Sequence, residues 1–335
     1  MIVLLLPVVA AILVFCPRPD RYASSKRPVN DLQTALYTRL EAGGLSGDEL
    51  ASVGALTLGY KEDLDKDLKR HFQAAGAAHI LAVSGLHTGI IYALLIGLLT
   101  FGGRFKPLHE QAFRRRLLSL IIIAAMWGYA WLTGMTPSVV RAVVMVTIFE
   151  FGRMVYRQSF SLNTIASAAV LILLVRPQDL WSVSFQLSFA ATAAIVVAMS
   201  AYQYRDLRLY RLPKIARYFL DIIVVSFAAQ LGTLPITMVY FHQISTYFLL
   251  ANLLVLPIAS VLVPCGLVSI ALGGSTIGVL FSKVTWAMAW LMNHSVGWIE
   301  SLPGSTLSAH INGWMIAVYY LLLVLFFAFL PKNHN

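Results

Sequence analysis

Ten apolar segments follow one another along this chain of 335 residues, and they restrict the possible folds more than any other feature. Hydrophobic residues make up 59% of the sequence and charged residues 12%, whereas a soluble globular domain has about 45–50% and about 25%. Apolar segments near the length of a bilayer span, about 20 residues, are typical of membrane-crossing helices. The sequence therefore predicts an all-α fold, a polytopic membrane helical bundle. The predicted segments are 2–15, 80–101, 117–132, 139–155, 162–175, 183–201, 219–240, 248–272, 277–299 and 314–330.

Several of these segments are shorter than a full span, which favours broken or re-entrant helices. Pro235 lies inside the segment 219–240 and is expected to kink it. Pro257 and Pro264 interrupt the segment 248–272, and two prolines in one span predict a bent or discontinuous helix. We therefore expect several of the spanning helices to depart from regular geometry.

One amphipathic helix is predicted between the first segment and His79. Residues 59–75 carry four basic and four acidic side chains, and Leu64, Leu68 and Phe72 recur every four residues. This spacing places one apolar stripe on a charged helix. Such a helix either lies in the membrane interface or packs against the rim of the bundle.

The distribution of Lys and Arg predicts how the bundle is oriented. Basic residues accumulate in the connections 102–116, 153–157 and 203–217, whereas 133–137 and 241–247 contain none. Connections rich in Lys and Arg remain in the cytoplasm, so the first three are predicted to be cytoplasmic and the C-terminus to return there. The net charge of +10 follows from this rule, although a basic surface would also suit a conduit for nucleic acid.

The stretch from residue 79 to residue 89 places polar and small residues at the mouth of an apolar helix. It contains His79, Ser84, Gly85, His87 and Gly89. Polar groups within a membrane segment usually face the bundle interior or a water-filled cavity. Small residues four apart also let a neighbouring helix approach closely. The stretch is therefore either part of a hydrated path or a helix-packing motif whose hydroxyl bonds to its own backbone.

Two other predicted helices and one further span carry polar side chains. Hydroxyls and amides on one face either bond between helices or line a hydrated path, and several such faces in one bundle favour the path. These residues are Ser226, Gln230, Thr233 and Thr237 in 219–240, Ser182, Ser184, Gln186 and Ser188 near the start of 183–201, and Asn252 in 248–272.

Arg141 lies about one turn inside a predicted helix whose N-cap is Thr136 and whose first residue is Pro137. A guanidinium at this depth is costly unless it is paired or reaches the interface. Arg141 therefore contacts a phosphate, extends to the interface, or bonds to backbone carbonyls of a neighbouring helix. Glu150 lies on roughly the opposite face of the same helix and needs another partner or water.

Motifs for bound nucleotides and metals are missing from the sequence. It contains no P-loop, no H-E-x-x-H and no His/Asp cluster with metal spacing, so we expect no metal and no cofactor. The tryptophans near segment ends are interpreted as interface anchors or packing residues, with base stacking as the alternative. They are Trp286, Trp290, Trp298 and Trp314.

An ordered series of motifs resembles the ComEC-type competence proteins, membrane channels that carry single-stranded DNA into bacteria during natural transformation. The series comprises 76–87, which includes the sequence A-V-S-G-L-H, then 134–145, which includes T-P-S-V-V-R, then F-Q-L-S-F at 185–189, and 234–257. The segment 2–15 and the stretch 59–75 predict an N-terminal membrane helix plus an amphipathic, interfacial region at 1–75. The resemblance implies a competence-type channel domain at 76–335.

The resemblance further implies a multi-pass protein of the bacterial inner membrane with the bilayer and single-stranded DNA as partners. A cytoplasmic motor or single-strand-binding proteins, and possible homo-oligomers, complete the expected partners. Family members often carry a metallo-β-lactamase-like domain, which these residues lack, so we expect a conduit and no enzyme. The candidate DNA path consists of His79, Ser84, Gly85, His87, Arg141, Gln186, Ser188, Gln230, Thr233 and Asn252.

Two other functions remain open from the residues. Ser84 and His87 suggest an intramembrane serine hydrolase, although residues three apart on one helix seldom place a nucleophile and its base correctly. The composition also fits a small-solute transporter, which would leave the ordered motifs without an explanation.

Overall fold

The computed structural model describes residues 31–81, 83–100, 108–155, 162–203, 213–308, 314–315 and 318–322. Within these residues the chain is almost entirely helical, with one pair of short strands. The helices are α1 (Asp31–Ala42), α2 (Gly47–Thr57), α3 (Lys66–Ala74), α4 (Gly85–Thr100), α5 (Leu108–Leu132), α6 (Pro137–Met154), α7 (Leu162–Val175), α8 (Val183–Gln203), α9 (Lys214–Phe241), α10 (Phe248–Ala271) and α11 (Thr276–Glu300). A 3-10 helix covers Pro177–Trp181, and β1 (Gln243–Ser245) pairs with β2 (Thr306–Ser308).

The predicted all-α membrane bundle is confirmed. Four helices are long and apolar enough to cross a bilayer, namely Phe113–Leu132 within α5, Val183–Ser200 within α8, and the whole of α9 and α10. The helices Gly85–Leu99 and Leu162–Val175 are apolar but shorter. The predicted segment 162–175 coincides with α7, whereas α4 begins five residues after the predicted start at residue 80. The predicted segment 2–15 lies outside the described residues, as does most of 314–330.

The chain divides into two compact units. One unit contains α1 to α6 together with α10 and α11, and the other contains α7 to α9. The first unit has a continuous apolar core that includes Leu56, Met126, Leu262 and Met292. The division of the chain at residue 75 remains a prediction, since this grouping concerns contacts between helices.

α10 and α11 form an antiparallel hairpin joined by residues 272–275. Near that turn, the hydroxyls of Ser269 and Ser282 form a hydrogen bond. At the other end, the backbone N–H of Thr246 donates to Ser305 O at 3.0 Å, and the Tyr247 hydroxyl donates to Pro303 O at 3.0 Å. The two helices therefore lie side by side along their whole length.

The helices of the described residues run without interruption through their prolines. Pro235 lies inside α9, and both Pro257 and Pro264 lie inside α10. The alternative of a discontinuous helix at residues 248–272 is therefore not observed. Each proline still removes one backbone donor from its helix.

The amphipathic helix expected from residues 59–75 is α3. Its apolar stripe is covered by protein, because Leu64, Leu68 and Phe72 are all buried in the core of the first unit. Glu300 at the end of α11 accepts a hydrogen bond from Arg70 of α3 at 3.2 Å, and its second oxygen lies 3.1 Å from His71 Nε2. These contacts favour packing at the rim of the bundle over burial of the stripe in lipid.

α1 and α2 attach to the same unit through aromatic and polar contacts. The rings of Tyr37 and Tyr60 stack with their centroids 4.3 Å apart. Burial raises the pKa of the Tyr37 hydroxyl, and its hydrogen bond to Asp63 raises that pKa further. In α2, the Ser52 hydroxyl donates to Asn293 Oδ1 of α11 at 2.9 Å.

Candidate nucleic-acid path

The start of α4 is organised by hydrogen bonds between Ser84 and His87. The backbone N–H of Ser84 donates to His87 Nδ1 at 3.2 Å, and the Ser84 hydroxyl lies 3.1 Å from the same nitrogen. Thr88 donates from its hydroxyl to Ser84 O at 3.1 Å. Ser84 therefore occupies the cap position of α4, and His87 returns to the cap as the Glu of a capping box does. This cap explains why the helix begins at Gly85 and not at Ile80.

The cap also determines which nitrogen of the neutral His87 ring carries the proton. Because Nδ1 accepts a backbone N–H, the neutral ring carries its proton on Nε2. His87 is fully buried, and Nε2 has no hydrogen-bond partner among the described residues. His87 thus presents a donor in the protein interior that needs an acceptor.

The glycines at the start of α4 do not form a close helix contact within the described residues. A side chain added at Gly85 would reach only Ala142 Cβ at 3.9 Å, and one added at Gly89 would meet nothing within 4 Å. Both glycines are exposed. The interpretation of Gly85 and Gly89 as a helix-packing pair is therefore not supported by this part of the chain.

α6 places Arg141 beside the start of α4. The Ser138 hydroxyl donates to Val83 O at 2.6 Å, which ties the first turn of α6 to the residues before α4. Pro137 occupies the predicted position at the start of the helix, but the hydroxyl of Thr136 makes no capping bond. Arg141 is only 3% exposed, so its guanidinium is enclosed by protein and does not extend to the surface of the unit.

Two other candidates belong to the same unit as Arg141. His79 is exposed in the segment before α4. Asn252 is buried near the start of α10, and its Oδ1 has no hydrogen-bond partner among the described residues. α4 packs against both α6 and α10, so these helices bring six candidates into one unit. They are His79, Ser84, Gly85, His87, Arg141 and Asn252.

The remaining candidates, Gln186, Ser188, Gln230 and Thr233, belong to the unit of α7 to α9. Gln186 is buried and donates from Nε2 to Leu180 O at 3.0 Å. Thr233 donates to Ala229 O at 2.8 Å within its own helix, and Ser188 and Gln230 are half-buried. Gln186 and Thr233 therefore bond to local backbone, which is neither the bonding between helices nor the hydrated path that the sequence suggested for these faces.

Ser226 differs from its neighbours on α9. Its side chain is buried, and its hydroxyl has no hydrogen-bond partner among the described residues. It is therefore the member of the predicted α9 stripe that still needs a partner.

Sequence reasoning missed the polar cluster around Glu150. This carboxylate is fully buried in α6, and its oxygens accept from Tyr92 of α4 at 2.5 Å and from Ser119 of α5 at 2.6 Å. Arg153, one turn further along α6, completes the cluster with an ion pair of 2.8 Å. The need of Glu150 for a partner was predictable from its apolar segment, whereas Tyr92 lies 58 residues away and carries no sequence signal.

No group of three or more His, Cys, Asp or Glu side chains that could hold a metal ion occurs in the residues that the structure describes. The polar groups described above carry hydrogen-bond donors and acceptors. They can pair with water, bases or phosphates.

Comparison with known proteins gives relatives from several bacteria. The chain is 30% identical over 251 residues to ComE operon protein 3 of Bacillus subtilis, covering 74% of this chain and 30% of that protein. It is 31% identical over 210 residues to the uncharacterized protein YcaI of Escherichia coli, covering 63% and 27%. It is 26% identical over 265 residues to Recombination protein 2 of Haemophilus influenzae, covering 77% and 32%.

The chain thus spans about a third of the length of these relatives. No solved structure matches it significantly. The profile of one family, described as Competence protein, matches residues 56–333, which include every candidate residue named above. This all-α membrane protein therefore belongs to the Competence protein family.

Proposed function

We propose that this chain is an inner-membrane conduit that passes single-stranded DNA into the cytoplasm during natural transformation. The observation that carries this proposal is the match of the Competence protein family to residues 56–333. A role in DNA uptake agrees with the names of two relatives, ComE operon protein 3 and Recombination protein 2. Since the chain covers about a third of each, the activity of the whole relatives is part of the proposal.

Unpartnered polar atoms inside apolar helices support a hydrated path. In the first unit, the Nε2–H of His87 and Oδ1 of Asn252 are buried without hydrogen-bond partners among the described residues. Leaving such groups unpaired costs about 1–3 kcal/mol each. Water or the polar edges of nucleotides would remove that cost, and Arg141 would contact a phosphate when the path opens.

The chain would act as a conduit, and the driving force would come from a cytoplasmic motor or from single-strand-binding proteins. The test is translocation of fluorescent single-stranded DNA into proteoliposomes that contain the purified chain. We expect entry of the single strand and exclusion of duplex DNA and of a small dye. Entry of the dye without DNA would contradict the conduit and favour a small-solute transporter.

Substitutions test the assigned residues separately from the overall activity. We expect Ser84→Leu and Arg141→Leu to abolish transformation while the protein still inserts normally. Arg176→Leu is the matched control, because Arg176 is exposed before the 3-10 helix. Wild-type uptake in both variants would exclude these residues from the path and leave the conduit itself standing.

One observation favours a second candidate function, an intramembrane serine hydrolase. Ser84 Oγ lies 3.1 Å from His87 Nδ1, which is within reach of a nucleophile and its base. The two side chains thus come within hydrogen-bond distance, with Ser84 at the cap and His87 in the first turn of α4, although residues three apart on one helix seldom place a nucleophile and its base correctly. However, Nδ1 also accepts the N–H of Ser84, so the cap already uses its lone pair. Labelling of Ser84 by a fluorophosphonate probe would support a hydrolase, and a Ser84→Ala variant is the control.

A further inference from the structure

α11 presents a row of aromatic side chains on one exposed face. Trp286, Trp290, His294 and Trp298 follow one another at intervals of four residues, and all four are exposed. A helix rises about 1.5 Å per residue, so the row extends about 18 Å. We call these four residues the aromatic ladder.

The orientation of the ladder is fixed by the opposite face of α11. That face is buried against α10 and α2, where Ser282 bonds to Ser269 and Asn293 bonds to Ser52. A side chain at Gly266 of α10 would come within 3.7 Å of Thr285. Because these small and polar groups interlock, α11 cannot rotate to bury its tryptophans.

Lipid is a poor partner for the ladder. α10 is apolar enough to cross the bilayer, whereas α11 is not among the described helices that meet this criterion. Because α11 runs antiparallel to α10 along its whole length, we expect the two helices to lie at the same depth. Tryptophans that anchor a span concentrate at its two interfaces, whereas Trp286 and Trp290 flank the midpoint of α11. Their indole N–H groups donate to no described residue, and such donors are costly in hydrocarbon. Lys283, also exposed, lies one turn before Trp286 on the same face.

Building on the proposed function, we propose that the aromatic ladder lines the conduit and stacks the bases of single-stranded DNA. Bases of any sequence stack on aromatic side chains. The face also has the charge that a polyanion requires, because it carries Lys283 and no acid occurs between residues 276 and 299. The ring of His294 packs against that of Trp290 with centroids 4.1 Å apart and the planes tilted by 32°, so two neighbouring members of the ladder are already in contact.

Fluorescence quenching tests which medium the ladder faces. The protein is reconstituted in nanodiscs, and the contribution of Trp290 is the difference between wild type and Trp290→Phe. We expect water-soluble acrylamide to quench this contribution, brominated lipid to spare it, and oligothymidylate to quench it. Trp131, exposed at the end of α5, is the matched control, for which we expect quenching by brominated lipid and no response to oligothymidylate.

Two results would contradict the proposal that the aromatic ladder lines the conduit. Quenching of Trp290 by brominated lipid would place this face in lipid, and protection from both quenchers would place it against another protein surface, such as a second copy of the chain. In the supporting case, Trp290→Ala weakens oligothymidylate binding by about fivefold or more, and Trp290→Phe weakens it less.

Different results would contradict the proposal for the aromatic ladder and the proposal that the chain is a conduit. If Trp286→Ala and Trp290→Ala take up single-stranded DNA into proteoliposomes as wild type does, the strand passes elsewhere and the conduit stands. If wild type passes no strand even when the vesicles enclose a single-strand-binding protein that retains it, the conduit is refuted. In that event, acrylamide quenching without a response to oligothymidylate shows that the ladder faces water and does not bind DNA.

Discussion

The carboxylate of Glu150 shows how a single residue can join several helices. It is fully buried, and donors from α4, α5 and α6 reach its two oxygens. A buried charge is stable only when it is paired and hydrogen-bonded. The side chain therefore connects three helices of the first unit and depends on all of them.

We expect Glu150→Gln to lower the free energy of unfolding by about 1–3 kcal/mol, because Tyr92, Ser119 and Arg153 lose their shared anionic acceptor. Thermal unfolding in detergent measures this loss. Glu41→Gln, at an exposed position of α1, is the control. The double variant Glu150→Gln/Arg153→Gln should lose less than the sum of its single variants, and strict additivity would show that the ion pair is not coupled.

Gly76 is a second position where a small change, the addition of a Cβ atom, is expected to have a large effect on stability. Its φ is +82°, and an added Cβ would lie 2.8 Å from Ser245 Cβ and 3.1 Å from Phe248 Cβ. We expect Gly76→Ala to destabilise the protein by about 2–4 kcal/mol, through backbone strain and overpacking together. Gly274 has φ +83° and open space around it, so Gly274→Ala measures the strain alone. Equal melting temperatures for the two variants would refute the steric contribution.

At the scale of elements, helix bounds were predictable wherever the apolar segment itself determines the helix. α7 coincides with the predicted segment 162–175, since apolar residues fill its whole length. The start of α4 was not predictable from hydrophobicity, because the cap formed by Ser84 and His87 determines it. The α9 stripe was recognised, but the sequence does not reveal that Thr233 bonds to its own backbone.

The contact between α8 and α9 depends on one glycine. A Cβ at Gly232 would lie 2.6 Å from Ala194 Cβ and 2.8 Å from Ala190 O, so only glycine permits this approach. We expect Gly232→Ala to separate the helices and to cost about 1–3 kcal/mol in thermal unfolding. Gly128→Ala is the control, because nothing lies within 4 Å of that position. It should be neutral or stabilise α5 by up to about 1 kcal/mol. Similar losses for both variants would contradict the close contact.

At the scale of the whole molecule, the sequence predicted the class of fold because its apolar segments leave few alternatives. It could not predict which helices are neighbours, since the partners of α11 come from α2, α3 and α10. From the sequence, the segment 277–299 was predicted only as one of ten apolar segments. The structure shows that α11 has a polar buried face, with Ser282 and Asn293, and an aromatic exposed face.

The hairpin of α10 and α11 predicts on which side of the membrane each of its two ends lies. In a protein without Cys16 and Cys265, we expect Gly274→Cys to react with an impermeant maleimide from the cytoplasmic side and Ser301→Cys from the opposite side. The reason is that α10 is apolar enough to cross the bilayer, that α11 runs back along its whole length, and that the connection 241–247 carries no Lys or Arg. The parent without cysteines is the control. Labelling of both positions from the same side would show that α11 does not cross.

The short length of α4 has a consequence for the surrounding bilayer. Its 16 residues measure about 24 Å along the helix axis, whereas the hydrocarbon of a typical membrane is about 30 Å thick. Acyl chains next to a short helix must compress or tilt, and the elastic cost grows with the difference in thickness. Where α4 crosses the bilayer, we therefore expect the membrane beside Ser84 and His87 to be thinner, and lipids with longer acyl chains to strain the protein at the helix that begins with its family motif.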